Sequence, residues 1–221
     1  MFFEGNKREQ KAKARAIASI KQELRRETAN NDEWGFGDPW DLFVVKAYCL
    51  NPQSYGKRIE NWLKYHVGLE TVAPTAERGD SKNKHGVYFE IKASYKDVGT
   101  QTYNFIQIRP WHDVHGYVFI AIDPEDNFAT HHFYLTKEEA EIERIRIGHL
   151  IHSKTDLWKI GLKKEDFERW VRFYRIPDFK TLKKILVNKV PFERIKRTQY
   201  SRVYYKRDNR KQLERIRKIG R

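Results

Sequence analysis

The spacing of apolar positions changes character twice along the chain, from helical to alternating and back. From Lys7 to Glu27, strong helix formers carry a modest apolar stripe of Ala14, Ile17, Ala18, Ile20 and Leu24, which predicts a helix. Asn30 to Pro39 is rich in polar residues and glycine and reads as a loop, and Asp41 to Cys49 reads as a short buried helix that ends before Pro52. Between Gln53 and His66, the residues Tyr55, Ile59, Trp62, Leu63 and His66 fall on one helical face, with Gly56 and Glu60 at its border. After Gly68 the period becomes two. Strands are predicted at Val87–Ala93, Tyr103–Arg109 and Tyr117–Ile122, the last apolar throughout and therefore covered on both faces, with a shorter strand at Phe133–Leu135. Thr136 with Glu139 has the form of a capping box and starts a helix expected to run to about His152, and further helices are expected at Lys163–Phe173 and Asp178–Val187.

Helices, then strands, then helices predict an α/β or α+β domain built on a central mixed sheet. At 221 residues the length suits one domain, here residues 1–192 with a core at about 53–135. Residues 193–221 read as a basic tail rather than a domain, because no Gly/Ser/Pro linker precedes them. The 13 Phe, 12 Tyr and 6 Trp exclude a disordered chain despite 33% charged residues. Cys49 is the one cysteine, so an internal disulfide is excluded; it lies in an apolar stretch and reads as an inert core thiol. The charged N-terminal segment does not read as a signal peptide, and no apolar run approaches membrane-spanning length, so a cytoplasmic protein without membrane association is expected. No Walker-type loop or Gly-x-Gly-x-x-Gly is present, which argues against a nucleotide cofactor.

The net charge of +14 sits at the ends: residues 1–30 carry +4 and residues 193–221 carry +9, leaving +1 between them. The last segment interleaves Tyr200, Tyr204 and Tyr205 with Arg202, Lys206, Arg207, Arg210 and Lys211. Such a mixture neutralises phosphates and offers rings to sugars and bases, so nucleic acid is the implied partner, with a solvated basic helix as the alternative.

The strongest chemical signal lies in the strand at Val87–Ala93. Val87, Phe89, Ile91 and Ala93 turn to one face and Tyr88, Glu90 and Lys92 to the other, so a carboxylate and an ammonium project together from a strand with an apolar back. Asp80, ten residues earlier in a turn-rich stretch, comes beside Glu90 if that stretch folds back as a neighbouring strand. Two converging carboxylates form a hard-oxygen site suited to Mg²⁺, and an adjacent lysine can orient water or stabilise a phosphoryl transition state. Glu60 can add a ligand from its helix, or else be a helix-surface acid paired with Lys57 and Lys64. Gln107 and Arg109 share a strand face with Phe105 and either reach the cleft or cap the sheet.

These residues resemble the PD-(D/E)xK nuclease superfamily and, within it, the type II restriction endonucleases. The resemblance rests on Gly56-x-x-x-Glu60, Asp80, Glu90-Ile91-Lys92 and Gln107-Ile108-Arg109, and covers roughly residues 53–123. It implies an αβββαβ core with helical C-terminal additions and Mg²⁺-dependent cleavage of double-stranded DNA. It also implies metal-holding positions at Asp80, Glu90 and Ile91, catalytic roles for Asp80, Glu90, Lys92 and Glu60, and a homodimer. Gly79 stands where the family pattern has proline. Glu9-Gln10-Lys11, Asp80-Ser81-Lys82 and Pro177-Asp178 repeat parts of the motif without its strand context, and the pairs His149/His152 and His131/His132 lack a third metal ligand in sequence. Rival expectations are a repair, recombination or homing nuclease with the same core, and a nucleic-acid-binding protein without catalysis.

Overall fold

Prolines and caps set the helices at 40–48 and 52–67. Pro39 precedes α1 (Trp40–Tyr48) as its N-cap residue, and Pro52 opens α2 (Pro52–Val67), where its missing N–H costs nothing. Asn51 caps α2 by accepting the Ser54 N–H, and Gly68 ends it in the left-handed conformation at φ 83°. The structure is a computed structural model and describes residues 37–73, 77–148 and 157–190, with Arg15, Ser19, Gln22 and Gly35. The helix expected at 7–27, apart from those three helical residues, lies outside this range, as do His149, His152 and the basic tail.

Among the described residues, eight strands form one mixed sheet. The short β1 (Glu70–Thr71) and β2 (Ser81–Lys82) lead into β3 (Tyr88–Asp97), followed by β4 (Thr102–Ile108), β5 (Gly116–Asp123) and β6 (Ala129–Thr136). After α3 (Lys137–Ile147) come β7 (Trp158–Leu162), α4 (Lys164–Phe173), β8 (Arg175–Ile176) and α5 (Phe179–Asn188). The main order is β1-β2-β3-β5-β6-β8, with β4 and β7 forming an antiparallel ribbon attached to the end of β3. β3 and β5 run parallel, pairing Phe89 with Gly116 through Tyr95 with Ile122, and the remaining pairs are antiparallel.

β5 divides the core. Val118, Ile120 and Ile122 pack with Phe89 and Ile91 against Phe43 and Val44 of α1, Ile59 and Leu63 of α2, and Leu182 and Leu186 of α5. Tyr117, Phe119 and Ala121 turn the other way, among Phe105, Ile108, Phe133, Ile160 and Trp170. Every side chain from Tyr117 to Ile122 is buried, as a strand covered on both faces requires. Among the described residues no helix is long and apolar enough to cross a membrane.

The capping box at Thr136 and Glu139 is present in both directions, but α3 stops at Ile147, short of His152, because Gly148 turns left-handed at φ 76°. β4 departs from simple alternation. A bulge between Phe105 and Ile108 puts Gln107 at φ 56°, so Phe105 and Ile108 both enter the core while Gln107 is exposed, and Gln107 does not share the face of Phe105. Arg109 lies beyond the strand end. Asp178 acts as the N-cap of α5, accepting the Thr181 N–H at 2.7 Å.

His132 supplies a pH dependence of stability. Burial, reinforced by His131 and Arg175, holds its imidazole down to about 4. The unfolded chain therefore binds a proton that the folded chain refuses between about pH 6.5 and 4. Its contribution is fully favourable above pH 6.5 and is lost as pH falls, costing roughly 2–3 kcal/mol by pH 4.5. Denaturant unfolding at pH 7.5 and 4.5 should show that loss in the wild type and a smaller one in His132→Gln; equal losses would mean that His132 is not the group responsible.

Candidate active site at the β3 fork

The site forms where β3 changes partners. β2 pairs with it at Tyr88 and Phe89, and β4 at Lys96 and Asp97, while β5 covers the opposite edge from Phe89 to Tyr95. The stretch between the two antiparallel partners thus has an edge with no strand against it among the described residues. Asp80 enters this fork, its Oδ2 accepting the Ile91 N–H at 3.3 Å. An extended residue presents its N–H and C=O to the same side, so the Ile91 carbonyl faces the fork too.

Gly79 makes the approach of Asp80 possible. A Cβ there would run into the Phe89 carbonyl and lie 2.6 Å from Val114 Cγ1, so space excludes the proline of the family pattern. Gly79→Ala is expected to cost about 1–3 kcal/mol in chemical denaturation, as overpacking does; unchanged stability would mean that the segment yields freely.

Lys92 links the two acids. Its Nζ stands 2.7 Å from Glu90 Oε1 and 3.8 Å from Asp80 Oδ2. Glu90 is fully buried, so its contact with Lys92 is not a surface ion pair, whereas the Asp80 and Lys92 side chains keep partial access to solvent. Burial works against ionisation of Glu90, but Lys92 and His112 outweigh it and hold the carboxyl down to about 2. Burial would likewise discharge Lys92, yet Glu90 and Asp80 keep its ammonium above the usual lysine range. At Asp80 burial dominates and raises the carboxyl; Lys92 opposes this, and the charges of Glu90 and Glu60 add to it. One acid is therefore held ionised and the other is easier to protonate.

Glu60 contributes its charge to the site, raising the Asp80 carboxyl. Its Oε1 accepts from Lys57 at 2.8 Å and from Lys64 one turn on. The lysine pairing expected from helix spacing is present, but Glu60 and Lys64 are buried rather than on the surface. Gln107 sits exposed in the bulge of β4 and Arg109 just past its end, on the strand that joins β3 only at Lys96 and Asp97. Arg202, Lys206, Arg207 and Arg210 lie outside the described residues.

Sequence reasoning did not find His112. It lies 22 residues from Glu90 between β4 and β5, and its Nδ1 is 3.3 Å from Glu90 Oε2. Its neighbours Trp111 and Asp113 give no periodic signal. Among the described residues no three His, Cys, Asp or Glu side chains gather as a metal cluster. The oxygen donors available are two carboxylates and a main-chain carbonyl, a set that suits Mg²⁺, which commonly takes one or two carboxylates and keeps several waters. In comparisons with family models and with curated proteins, no family model and no curated protein matches the chain.

Proposed function

We propose that this protein is a Mg²⁺-dependent endonuclease that hydrolyses phosphodiester bonds in double-stranded DNA, of the site-specific restriction type. The observation that carries the reading is the gathering of Asp80, Glu90 and Lys92 at an edge with no strand against it among the described residues, with Glu90 buried yet held ionised. A fully buried carboxylate is costly unless it is paired, and a site that must receive a divalent cation gives reason to keep one.

Asp80, Glu90 and the Ile91 carbonyl would hold the ion. When bound, Mg²⁺ supplies charge neutralisation at phosphate oxygens and a more acidic water. Lys92, kept protonated by its two acids, donates to the attacking water or to the charge that develops on the phosphate. Glu60, with Lys57 and Lys64, sets the potential around Asp80. The net charge of +14 draws a polyanion to the molecule, and Gln107, Arg109 and the basic tail are the proposed DNA contacts. A homodimer would place two such sites on the two strands of a palindromic target.

The test is incubation with a long duplex DNA in Mg²⁺ and then in EDTA. Discrete fragments with 5′-phosphate ends in Mg²⁺ alone are expected. A smear would favour a repair-type nuclease, and intact DNA in both conditions would favour a binding protein.

A further inference from the structure

The β4–β5 loop is built to hold one ring in place. The His112 N–H donates to the Arg109 carbonyl at 3.1 Å, and the His112 carbonyl accepts from the Val114 N–H at 3.0 Å and from Lys137 Nζ at 2.6 Å. On either side the loop is tied to the two acid-bearing segments: the Asp113 N–H donates to the Glu77 carbonyl at 2.9 Å, and the His115 N–H to the Tyr88 carbonyl at 2.8 Å. The side chain so anchored is 6% exposed, and its Nδ1 faces Glu90 Oε2. A carboxylate only accepts, so Nδ1 carries the proton in this contact.

The two oxygens of Glu90 thus have separate keepers. Lys92 pairs with Oε1 on a long flexible stem, while His112 meets Oε2 through a short ring fixed by its loop. We propose that His112 is a positioning residue for the candidate nuclease site, holding the Glu90 carboxylate in the orientation that receives a divalent cation. This rests on the nuclease reading above. His112 acts through Glu90 and touches neither metal nor DNA, and partners of this kind change metal affinity by about 10–100-fold when removed.

The experiment titrates metal-free protein with Mn²⁺, followed by electron paramagnetic resonance, with Mg²⁺-dependent DNA cleavage measured in parallel. His112→Ala and His112→Phe should each weaken Mn²⁺ binding about 10–100-fold, the phenylalanine keeping the ring volume while losing the donor. His112→Asn, whose amide nitrogen falls near the place of Nδ1, should return affinity to within about threefold of the wild type. Raising Mg²⁺ should recover cleavage in His112→Phe. Wild-type affinity in His112→Phe, or a loss in His112→Asn as large as in His112→Ala, overturns the proposal and leaves the nuclease reading standing. A wild-type protein that neither binds Mn²⁺ nor cuts DNA overturns both.

Discussion

Lys92→Met is expected to lower the rate of Mg²⁺-dependent DNA cleavage by at least about 100-fold, the lower range for losing a positioned proton or charge donor. Nζ is the group that meets both acids, at 2.7 Å from Glu90 and 3.8 Å from Asp80, so nothing else on the strand can replace it. Methionine is preferred to alanine because it keeps the stem volume and confines the change to the charge. The substitution also leaves Glu90 buried with His112 as its partner, which should cost about 3 kcal/mol of stability, the lower range for breaking a buried pair. Thermal melts must therefore accompany the kinetics. DNA affinity should stay within about threefold of the wild type, since one cation among many contributes little to polyanion binding. A folded Lys92→Met protein that cuts within tenfold of the wild-type rate would remove Lys92 from catalysis.

A second large loss of stability is expected from a residue remote in role from the site. Glu143 of α3 is fully buried and accepts from Trp170 Nε1 at 3.1 Å, the Tyr174 hydroxyl at 3.1 Å, Arg146 Nη2 at 2.8 Å and Arg169 Nε at 3.2 Å. Burial raises its carboxyl, but Arg146, Trp170 and Arg169 prevail and hold it below the usual glutamate range. One carboxylate thereby ties α3 to α4 and to Tyr174. Glu143→Ala orphans the buried Trp170 donor and leaves two arginines without this partner, for an expected cost of about 3 kcal/mol. In a chain of this size that corresponds to a fall in Tm of roughly 6–12 °C. Glu143→Gln keeps one acceptor oxygen and should lose about half as much. A Tm within about 2 °C of the wild type for Glu143→Ala would show that water replaces the network at no cost.

Much of the local structure is legible because helices and strands announce themselves by period and by end residues. The expected helices at 41–49, 53–66, 163–173 and 178–187 match α1, α2, α4 and α5 to within one or two residues, and Thr136 caps α3 as its spacing implies. β1, β7 and β8 are not among the expected strands. β7 has only five residues of alternation, Trp158, Ile160 and Leu162 inward, and β8 has two, which exist as strand through pairing with β6. α3 ends at Gly148, whose left-handed turn closes the helix before the expected His152.

For the candidate site, the sequence by itself determined that Glu90 and Lys92 leave one side of a strand, and that Asp80 can return beside them, because alternation and a nearby turn are local properties. Only the tertiary structure decided that this strand edge has no strand against it between β2 and β4 among the described residues, that Glu90 and Glu60 are buried, and that His112 faces Glu90. Those facts depend on which distant segments pair, and pairing is set by the packing of whole faces around β5 rather than by any residue's immediate neighbours.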